Sequence, residues 1–239
     1  MNETPGYRPL YRQVYDILVR KIAESVWKPG EMLPSEQALA REMGVSHGTV
    51  RKVLDALTAE NLLLRRQGKG TFVAEHSQDR ALFRFFHIAR PGGERLVPEA
   101  AHVKVKSRPS RATEREKLKL RNGEAVFEIA RLRLIDGKPV IREIIILPQR
   151  LFPRLDRIGA LPNTLYSLYQ SQFGVTIATA CEELRAATAT KADQSSLGVK
   201  AGNPILVIGR VALSLTDQPV EWRESRVRTD DLVYAVTLQ

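Results

Sequence analysis

The strongest constraint on how this chain of 239 residues can fold is an internal repeat in its second half. Residues 123–140 align with residues 202–220, and the alignment matches Arg131 to Arg210 with one inserted residue in the hairpin turn. Each copy has the pattern of a short helix, a glycine turn, a strand, a hairpin turn and a second strand. Two such copies predict a pseudo-symmetric sheet built from two helix-plus-hairpin units.

The segments around the repeat complete this second domain. Between the copies, residues 164–173 have a helical pattern that ends at Gly174, and residues 175–189 have the pattern of another strand. Phe85 and Phe86 belong to an apolar cluster that we expect to pack inside the domain, because phenylalanine side chains rarely remain in water. These patterns predict an α+β domain with a mostly antiparallel sheet.

The first 75 residues carry a different pattern, in which helical segments come first. Apolar residues recur at three- and four-residue spacing over residues 10–26, which predicts an amphipathic helix that Lys28-Pro29-Gly30 ends. Ser35 and Ser46 are good N-caps for two further helices, and Gly44 stands where a left-handed C-terminal residue belongs. Two helices joined by this tight turn form a helix-turn-helix.

A hairpin follows the helix-turn-helix. Residues 62–66 and 71–74 have the pattern of two strands around the glycine-rich tip Gln67-Gly68-Lys69-Gly70. The order of helix, helix-turn-helix and hairpin is that of a winged helix, whose third helix places its first turns in a major groove. Apolar residues occupy one face of that helix and leave His47 and Arg51 on the other.

Residues 9–73 resemble the winged-helix domain of the GntR family of bacterial transcription regulators through LPSE, the GVS-x-x-TVR core and the QGKGTFV wing. This resemblance implies double-stranded operator DNA as a partner. It implies base or groove contacts by Gln37, His47, Arg51 and Gly68, phosphate contacts by Ser35, Thr49 and Lys69, and places the turn serine Ser46 in the same DNA-binding set.

Two of these positions depart from the family pattern, because Gln37 and His47 stand where arginine is usual. Arginine reads guanine with two hydrogen bonds, whereas glutamine prefers adenine and histidine is a weaker single donor. We therefore expect an operator that differs from the common half-site at guanine positions. Simpler roles stay open: Arg51 as a solvated helix charge, His47 as a phosphate contact, and Gly68 as a residue that serves only the turn.

The second domain resembles the UTRA ligand-sensing domain of the HutC-type GntR subfamily, which shares the chorismate lyase fold. The resemblance covers residues 82–237 and rests on RLRLIDGKPV, the TLY…FG helix, the AGNPIL turn and the PVE…R-x-D tail. The expected fold class is therefore α+β, with an N-terminal winged helix-turn-helix followed by a mostly antiparallel, chorismate lyase-like sheet domain. The expected bounds are 1–75 for the DNA-binding domain, 76–81 for a linker and 82–239 for the effector-binding and dimerisation domain.

The resemblance also implies a small-molecule effector site, formed by Arg131, Arg133, Glu143, Thr164 and Glu221. Arginines at i and i+2 on a strand project to the same face and form a paired donor site suited to phosphate or carboxylate. A helix N-terminus at Thr164 would add a hydroxyl and backbone N–H groups. The alternative for each arginine is a solvated strand charge.

Departures from the subfamily pattern bear on the identity of the effector. Residues 85–88, Phe-Phe-His-Ile, replace a loop with serine or threonine that often cradles phosphate, and Val227 replaces a frequent tyrosine. Thr164 replaces the more usual serine, which is a mild change. We therefore expect an anionic effector with a hydrophobic portion, such as a carboxylated or amino-acid-derived metabolite.

Charge and composition limit the remaining classes of function. The formal net charge is +10, with 37 Lys and Arg against 27 Asp and Glu, but most of the excess lies beyond residue 75, so charge alone does not identify the DNA-binding domain. No window approaches the roughly 18 apolar residues of a membrane span, and the first residues lack the apolar stretch of a secretory signal. We expect a cytoplasmic protein without membrane contact, and a homodimer on an inverted-repeat operator.

An enzyme is the competing class, because the fold relatives of the second domain include a lyase. The alternative function is thus a chorismate lyase-like enzyme domain fused to a DNA-binding module, and a third is an architectural DNA binder without a sensor. No Ser/His/Asp set, metal-ligand spacing or phosphate loop occurs, so we expect no catalytic residues, cofactor or metal. The single cysteine, Cys181, is expected in the core, as lone cysteines on strands usually are.

Overall fold

The computed structural model describes residues 8–75, 85–94 and 96–237. The chain divides into two compact units, Met1–Glu75 and His76–Gln239. The expected linker at 76–81 lies outside the described residues. No helix in the described ranges is long and apolar enough to cross a membrane.

The first unit is a winged helix-turn-helix, as expected. Its elements are α1 (Leu10–Ala23), α2 (Glu36–Met43), α3 (His47–Ala59), β1 (Leu63–Arg66) and β2 (Gly70–Val73). The two strands pair antiparallel, and Met32 adds a single bridge to Phe72 on β2. The three helices bury Leu18, Leu39 and Leu57 completely between them, and this core fixes α3 against α2.

Local capping chemistry explains the turn between α2 and α3. The Ser35 hydroxyl oxygen accepts a hydrogen bond from the Ala38 backbone N–H at 3.2 Å. Gly44 ends α2 in the left-handed conformation at φ 64°, and Ser46 caps α3 by accepting from the Thr49 backbone N–H at 3.1 Å. Each cap satisfies a backbone donor that the helix itself leaves free.

The first helix ends earlier than the apolar spacing predicts. It stops at Ala23, Ser25 takes a left-handed φ of 57°, and the Val26 N–H bonds back to the Lys21 carbonyl oxygen at 2.9 Å. Val26 is therefore exposed rather than part of the buried face. This is a Schellman termination with serine at the position that usually holds glycine, and for that reason the sequence pattern did not reveal it.

The second unit is an α+β domain whose central sheet is antiparallel throughout. Its elements are β3 (Ile88–Ala89), β4 (Glu99–Pro109), α4 (Ala112–Leu118), β5 (Ala125–Ile135), β6 (Lys138–Pro148), α5 (Leu165–Phe173), β7 (Ile177–Thr188), α6 (Lys191–Leu197), β8 (Pro204–Ser214), β9 (Pro219–Arg228) and β10 (Val233–Tyr234). The six-stranded sheet has the order β4-β5-β6-β9-β8-β7, and β3 pairs separately with β10.

The strand order confirms the pseudo-symmetry that the repeat predicted. Strands β4, β5 and β6 mirror β7, β8 and β9 about the β6–β9 boundary. Helices α4 and α6 precede the two hairpins, and each carries an acidic capping residue at the same repeat position, Glu114 and Asp193. The sheet therefore joins two copies of one unit through their last strands.

The main core of this unit places the helix α5 beside the two central hairpin strands of the first copy. It contains Phe127 and Ile129 from β5, Ile145 from β6 and Tyr169 from α5, all fully buried. Phe85 also packs here, as the density of phenylalanines predicted. The resulting layer of helix against sheet leaves polar side chains of β5, β6, β8 and β9 facing a cavity next to α5.

The expectation for Cys181 is wrong, because this side chain is exposed. It lies on β7, which is an edge strand of the sheet, and exposed residues alternate along much of that strand. An edge strand without cover on one face leaves alternate side chains in solvent.

Candidate functional site

The expected DNA-binding residues share the exposed side of the helix-turn-helix and the wing tip. Gln37, Ser46, His47, Arg51 and Lys69 are exposed. Ser35 and Gly68 are exposed as well, and Thr49 is partly buried at the first turn of α3. The fold thus brings the set together on α2, α3 and the β1–β2 turn of one unit.

The serine and threonine hydroxyls of this set already act as caps. Ser46 Oγ lies 2.9 Å from Thr49 Oγ1 and also accepts from the Thr49 backbone N–H. Ser35 Oγ accepts a backbone N–H in the same way. A hydroxyl that accepts from a helix N–H still has its own proton to donate, so Ser35 retains a donor for a phosphate oxygen, whereas Ser46 and Thr49 share a hydrogen bond in which either hydroxyl can donate.

The wing tip requires glycine for its backbone conformation. Gly68 has φ 69° and an added Cβ would meet nothing within 4 Å, so only the backbone angle restricts this position. Gly70 has φ 117°, and a Cβ there would approach Met32 Sδ at 3.2 Å. The turn role of Gly68 holds whether or not it also approaches DNA, and the tip has no bulky side chain at this residue.

A carboxylate that the sequence analysis did not select lies at the centre of this surface. Glu36, the first residue of α2, has one oxygen 3.0 Å from His47 Nε2 and 3.1 Å from Arg51 Nε. Its other oxygen lies 3.0 Å from Nη2 of Arg65 on β1, and the Asp55 carboxylate lies 2.9 Å from Nη1 of the same arginine. The recognition helix and the wing are therefore tied to α2 through one side chain.

The second candidate site is a cavity between α5 and the sheet, and it is partly open to solvent. Four of the five expected effector residues line it: Arg131, Arg133, Glu143 and Thr164. Glu221 does not. It is fully buried behind the cavity, where it accepts hydrogen bonds from Tyr166 Oη at 3.1 Å, Tyr169 Oη at 2.8 Å and Arg223.

The two predicted arginines do share a face of β5, but their partners differ. Arg131 Nε donates to Glu143 Oε2 at 2.6 Å, and both side chains are almost fully buried. Glu143 also lies 3.5 Å from Arg223 Nη1 and accepts from Ser225 Oγ at 3.3 Å. Although burial alone raises the pKa of Glu143, the charges of Arg131 and Arg223 hold it well below its ordinary value.

Arg133 has no carboxylate within ion-pair distance among the described residues. It donates to the Asn163 backbone oxygen at 2.8 Å, to Asn163 Oδ1 at 2.9 Å and to the Pro98 carbonyl oxygen at 3.1 Å. Its Nε is buried and has no hydrogen-bond partner in the described part of the chain. Burial lowers the pKa of Arg133 to about 9; the Glu143 carboxylate opposes this shift, and the positive charges of Arg131 and Arg223 add to it.

The structure adds polar residues that the sequence analysis missed. Arg210 of β8 and Arg223 of β9 line the cavity, together with Glu182 of β7. Arg210 Nε donates to Glu182 Oε1 at 2.6 Å, and Arg210 also donates to the Phe85 carbonyl oxygen. The repeat alignment could have identified Arg210, because it is the counterpart of Arg131 in the second copy.

The arrangement fits an anion more closely than it fits a metal or a catalytic centre. Four arginines and the carboxylates Glu143, Glu182 and Glu221 lie in or directly behind the cavity, so the local charge has one cation in excess. In the described ranges, no group of three or more His, Cys, Asp or Glu residues is placed to hold a metal ion. A buried N–H donor without an acceptor is the group that an incoming anion would satisfy.

Comparison with family models matches both units of the chain. Residues 93–232 match the UTRA domain, and residues 10–73 match the description "Bacterial regulatory proteins, gntR family". The two matches together span most of the described sequence and fall on the second and first units respectively.

Individual relatives extend this similarity. The chain is 27% identical over 231 residues to the "Probable fructoselysine utilization operon transcriptional repressor" of Escherichia coli (strain K12), covering 97% of this chain and 95% of that protein. It is 36% identical over 141 residues to the "Histidine utilization repressor" of Pseudomonas putida, covering 59% and 56%. The solved ligand-binding domain of a protein assigned to the GntR family, from Bordetella bronchiseptica, superposes with a TM-score of 0.61 at 30% identity, covering 65% of this chain and 98% of that one.

Proposed function

The chain belongs to the GntR family of transcription regulators and carries a UTRA domain, and from this premise we propose that it binds an inverted-repeat operator as a homodimer that a small anionic metabolite releases. The family and its named relatives are regulators, so the alternative of a lyase-like enzyme is not favoured. DNA binding belongs to the first unit and effector binding to the second.

The observation that carries the effector proposal is the incomplete hydrogen bonding of the buried Arg133 side chain. Its buried Nε–H has no hydrogen-bond partner in the described structure, and Glu143, whose charge acts on Arg133, is already paired with Arg131. A bound carboxylate or phosphate would supply a closer counter-charge and the missing acceptor. Arg131 extends toward the same Asn163 backbone oxygen at 3.2 Å, so both arginines are placed to act on one anion.

The other lining of the cavity favours an effector with an apolar portion. Phe85, Phe86, Ile88, Ile141 and Ile208 line it. Such a surface stabilises hydrocarbon by removing it from water and does little for a sugar with many hydroxyls. The names of two relatives refer to fructoselysine and histidine utilisation, which supports a carboxylated or amino-acid-derived metabolite.

Symmetry supports the dimer and the operator. Most oligomers of identical chains are two-fold symmetric, and a two-fold dimer of winged helices presents two recognition helices to two inverted half-sites. A coupling free energy of about 1–3 kcal/mol between effector and DNA would change operator affinity about 5- to 150-fold. Because the partner is operator DNA, we place the protein in the cytoplasm.

The DNA-binding set is tested by selecting duplexes from a randomised pool with the purified protein. We expect enriched inverted repeats whose half-sites differ from the common family site where Gln37 and His47 stand. Arg51→Ala should weaken binding to the enriched duplex about 10- to 100-fold. Failure of the wild-type protein to enrich any duplex would contradict the hypothesis that it is a DNA-binding transcription regulator.

The effector proposal is tested by thermal shift with a panel of aliphatic and aromatic carboxylates, amino acids and sugar phosphates. We expect stabilisation by carboxylates with an apolar portion, and its loss in Arg133→Gln. Arg185→Gln is the matched control, because Arg185 lies exposed on β7 in a pair with Glu224. Equal loss in the two variants, or stabilisation by neutral compounds alone, would contradict an anion site at Arg133.

A further inference from the structure

In the DNA-binding unit, the Glu36 carboxylate lies beside His47 and Arg51, which are expected to touch DNA, and a second carboxylate, Asp55, pairs with Arg65. The Glu36 side chain is only 22% exposed and bonds to His47, Arg51 and Arg65 at once. These partners lie on the first two turns of α3 and on the first strand of the wing. One carboxylate therefore contacts both DNA-reading elements.

Glu36 is the carboxylate that His47 and Arg51 share, whereas Arg65 also pairs with Asp55. The side chains of His47, Arg51 and Arg65 are 43%, 59% and 39% exposed, and immobilising a long exposed side chain on binding costs conformational entropy. Glu36 orders them before DNA arrives. Its backbone is itself fixed, because Ser35 caps the helix that Glu36 begins.

The negative charge of Glu36 has a second consequence. Affinity for any DNA sequence comes mainly from cations that meet phosphates, and a carboxylate among those cations reduces that contribution. Contacts to base edges depend instead on the direction in which a side chain points. A carboxylate that lowers phosphate attraction and fixes direction raises the ratio of specific to non-specific binding.

We propose that Glu36 is a positioning residue for DNA recognition, which sets sequence discrimination by holding His47, Arg51 and Arg65 in one arrangement. It acts through these side chains and not by touching a base. This inference rests on the proposed function, since it presupposes that the winged helix reads an operator.

The test uses the full chain and two probes: the duplex most enriched by the wild-type protein from a randomised pool, and a scrambled duplex of the same length. Glu36→Gln removes the charge and keeps the side-chain size. Glu36→Asp keeps the charge but is one methylene shorter, so it cannot span the three partners. Glu42→Gln is the control, because Glu42 lies on the same helix and pairs with Lys21 instead.

We expect the ratio of affinities for the two probes to fall about tenfold in both Glu36 variants and to stay within twofold of wild type in Glu42→Gln. Affinity for the scrambled duplex should rise in Glu36→Gln and stay unchanged in Glu36→Asp. Repeating the selection with each variant should show relaxed preference at several base pairs. Unchanged helical circular dichroism identifies variants that have kept the fold.

Two results would overturn the proposal. One is a ratio that stays within twofold of wild type in both Glu36 variants, or falls equally in Glu42→Gln. The other is a loss of preference confined to one base pair at which the wild type selects cytosine, since that would identify Glu36 as a direct acceptor from the base. If the wild-type protein enriched no duplex, that result would instead contradict the proposed function, which is operator binding.

Discussion

The two functional regions of this protein are built from the same residue types in opposite surroundings. On the DNA-binding unit, Glu36 bonds to cations that remain in water, with the Arg51 side chain 59% exposed. In the effector cavity, Arg131 and Glu143 form a pair whose side chains are only 3% and 5% exposed. The charge pattern is similar, and what differs is desolvation.

This difference determines what each network can do. Exposed ion pairs contribute little to stability, typically about 0–1 kcal/mol, so the Glu36 network can orient its partners without stabilising the unit appreciably. Leaving a buried charge unpaired costs much free energy, so the residues of a buried charge network keep their partners. A residue of the network that lacks a partner destabilises the site. The network on the DNA surface is thus suited to orienting side chains, and the network in the cavity is suited to selecting an anion.

The largest effect on stability is expected from Glu143→Gln, which tests whether desolvation distinguishes the two networks. The substitution leaves buried Arg131 and Arg223 without this counter-charge, so we expect the second unit to lose about 3–5 kcal/mol of stability. Calorimetry of the full chain would measure it as a lower transition temperature of that unit. Glu183→Gln, which breaks the exposed pair with Lys117, should change stability by less than about 0.5 kcal/mol; similar losses in both variants would remove desolvation as the cause.

An effect of intermediate size is expected when the buried carboxylate of Asp193 is titrated with acid. Asp193 is fully buried and bonds to Thr190, Arg142 and Arg226. Burial by itself would raise its pKa, but these partners lower the pKa of Asp193 to about 2. Because the folded pKa lies below the unfolded one, the stabilisation is present at neutral pH and is lost as pH falls from about 4 toward 2.

Asp193→Asn should therefore be less stable than the wild type at pH 7, and the two stability curves should converge as pH approaches 2. Urea unfolding at intervals of half a pH unit would follow the difference. Asp156→Asn, at an exposed position, should run parallel to the wild type throughout. A constant difference between Asp193→Asn and the wild type down to pH 2 would mean that the carboxylate charge is not what stabilises this contact.

The smallest expected effect belongs to the wing tip. Lys69 is exposed and no ion pair holds it in the described structure, so Lys69→Ala should leave stability unchanged. As a phosphate contact, it should weaken binding to enriched and scrambled duplexes alike and reduce the salt slope of binding by about one. A loss restricted to the enriched duplex would assign Lys69 to base recognition instead.

Most of the architecture was predictable from local patterns. The serine caps and Gly44 predicted the helix-turn-helix, since capping depends on residues within three positions of each other. The repeat predicted the symmetric sheet, and the i, i+2 spacing predicted that Arg131 and Arg133 share one face of their strand, which is buried in the structure. Two predictions were wrong. Ser25 takes the left-handed position that usually holds glycine at a helix end, and Cys181 is exposed because its strand lies at the edge of the sheet.

Periodicity and capping act over a few residues, so the elements, their order and the shared face of the two arginines could be predicted from the sequence alone. The pairing of the charges could not. Glu143 meets Ser225 across 82 positions of sequence, Glu221 lies behind the cavity and not in it, and Arg133 has no carboxylate within ion-pair distance in the described part of the chain. Such partners depend on burial and on the register of strands from different parts of the chain, so no local pattern contains them.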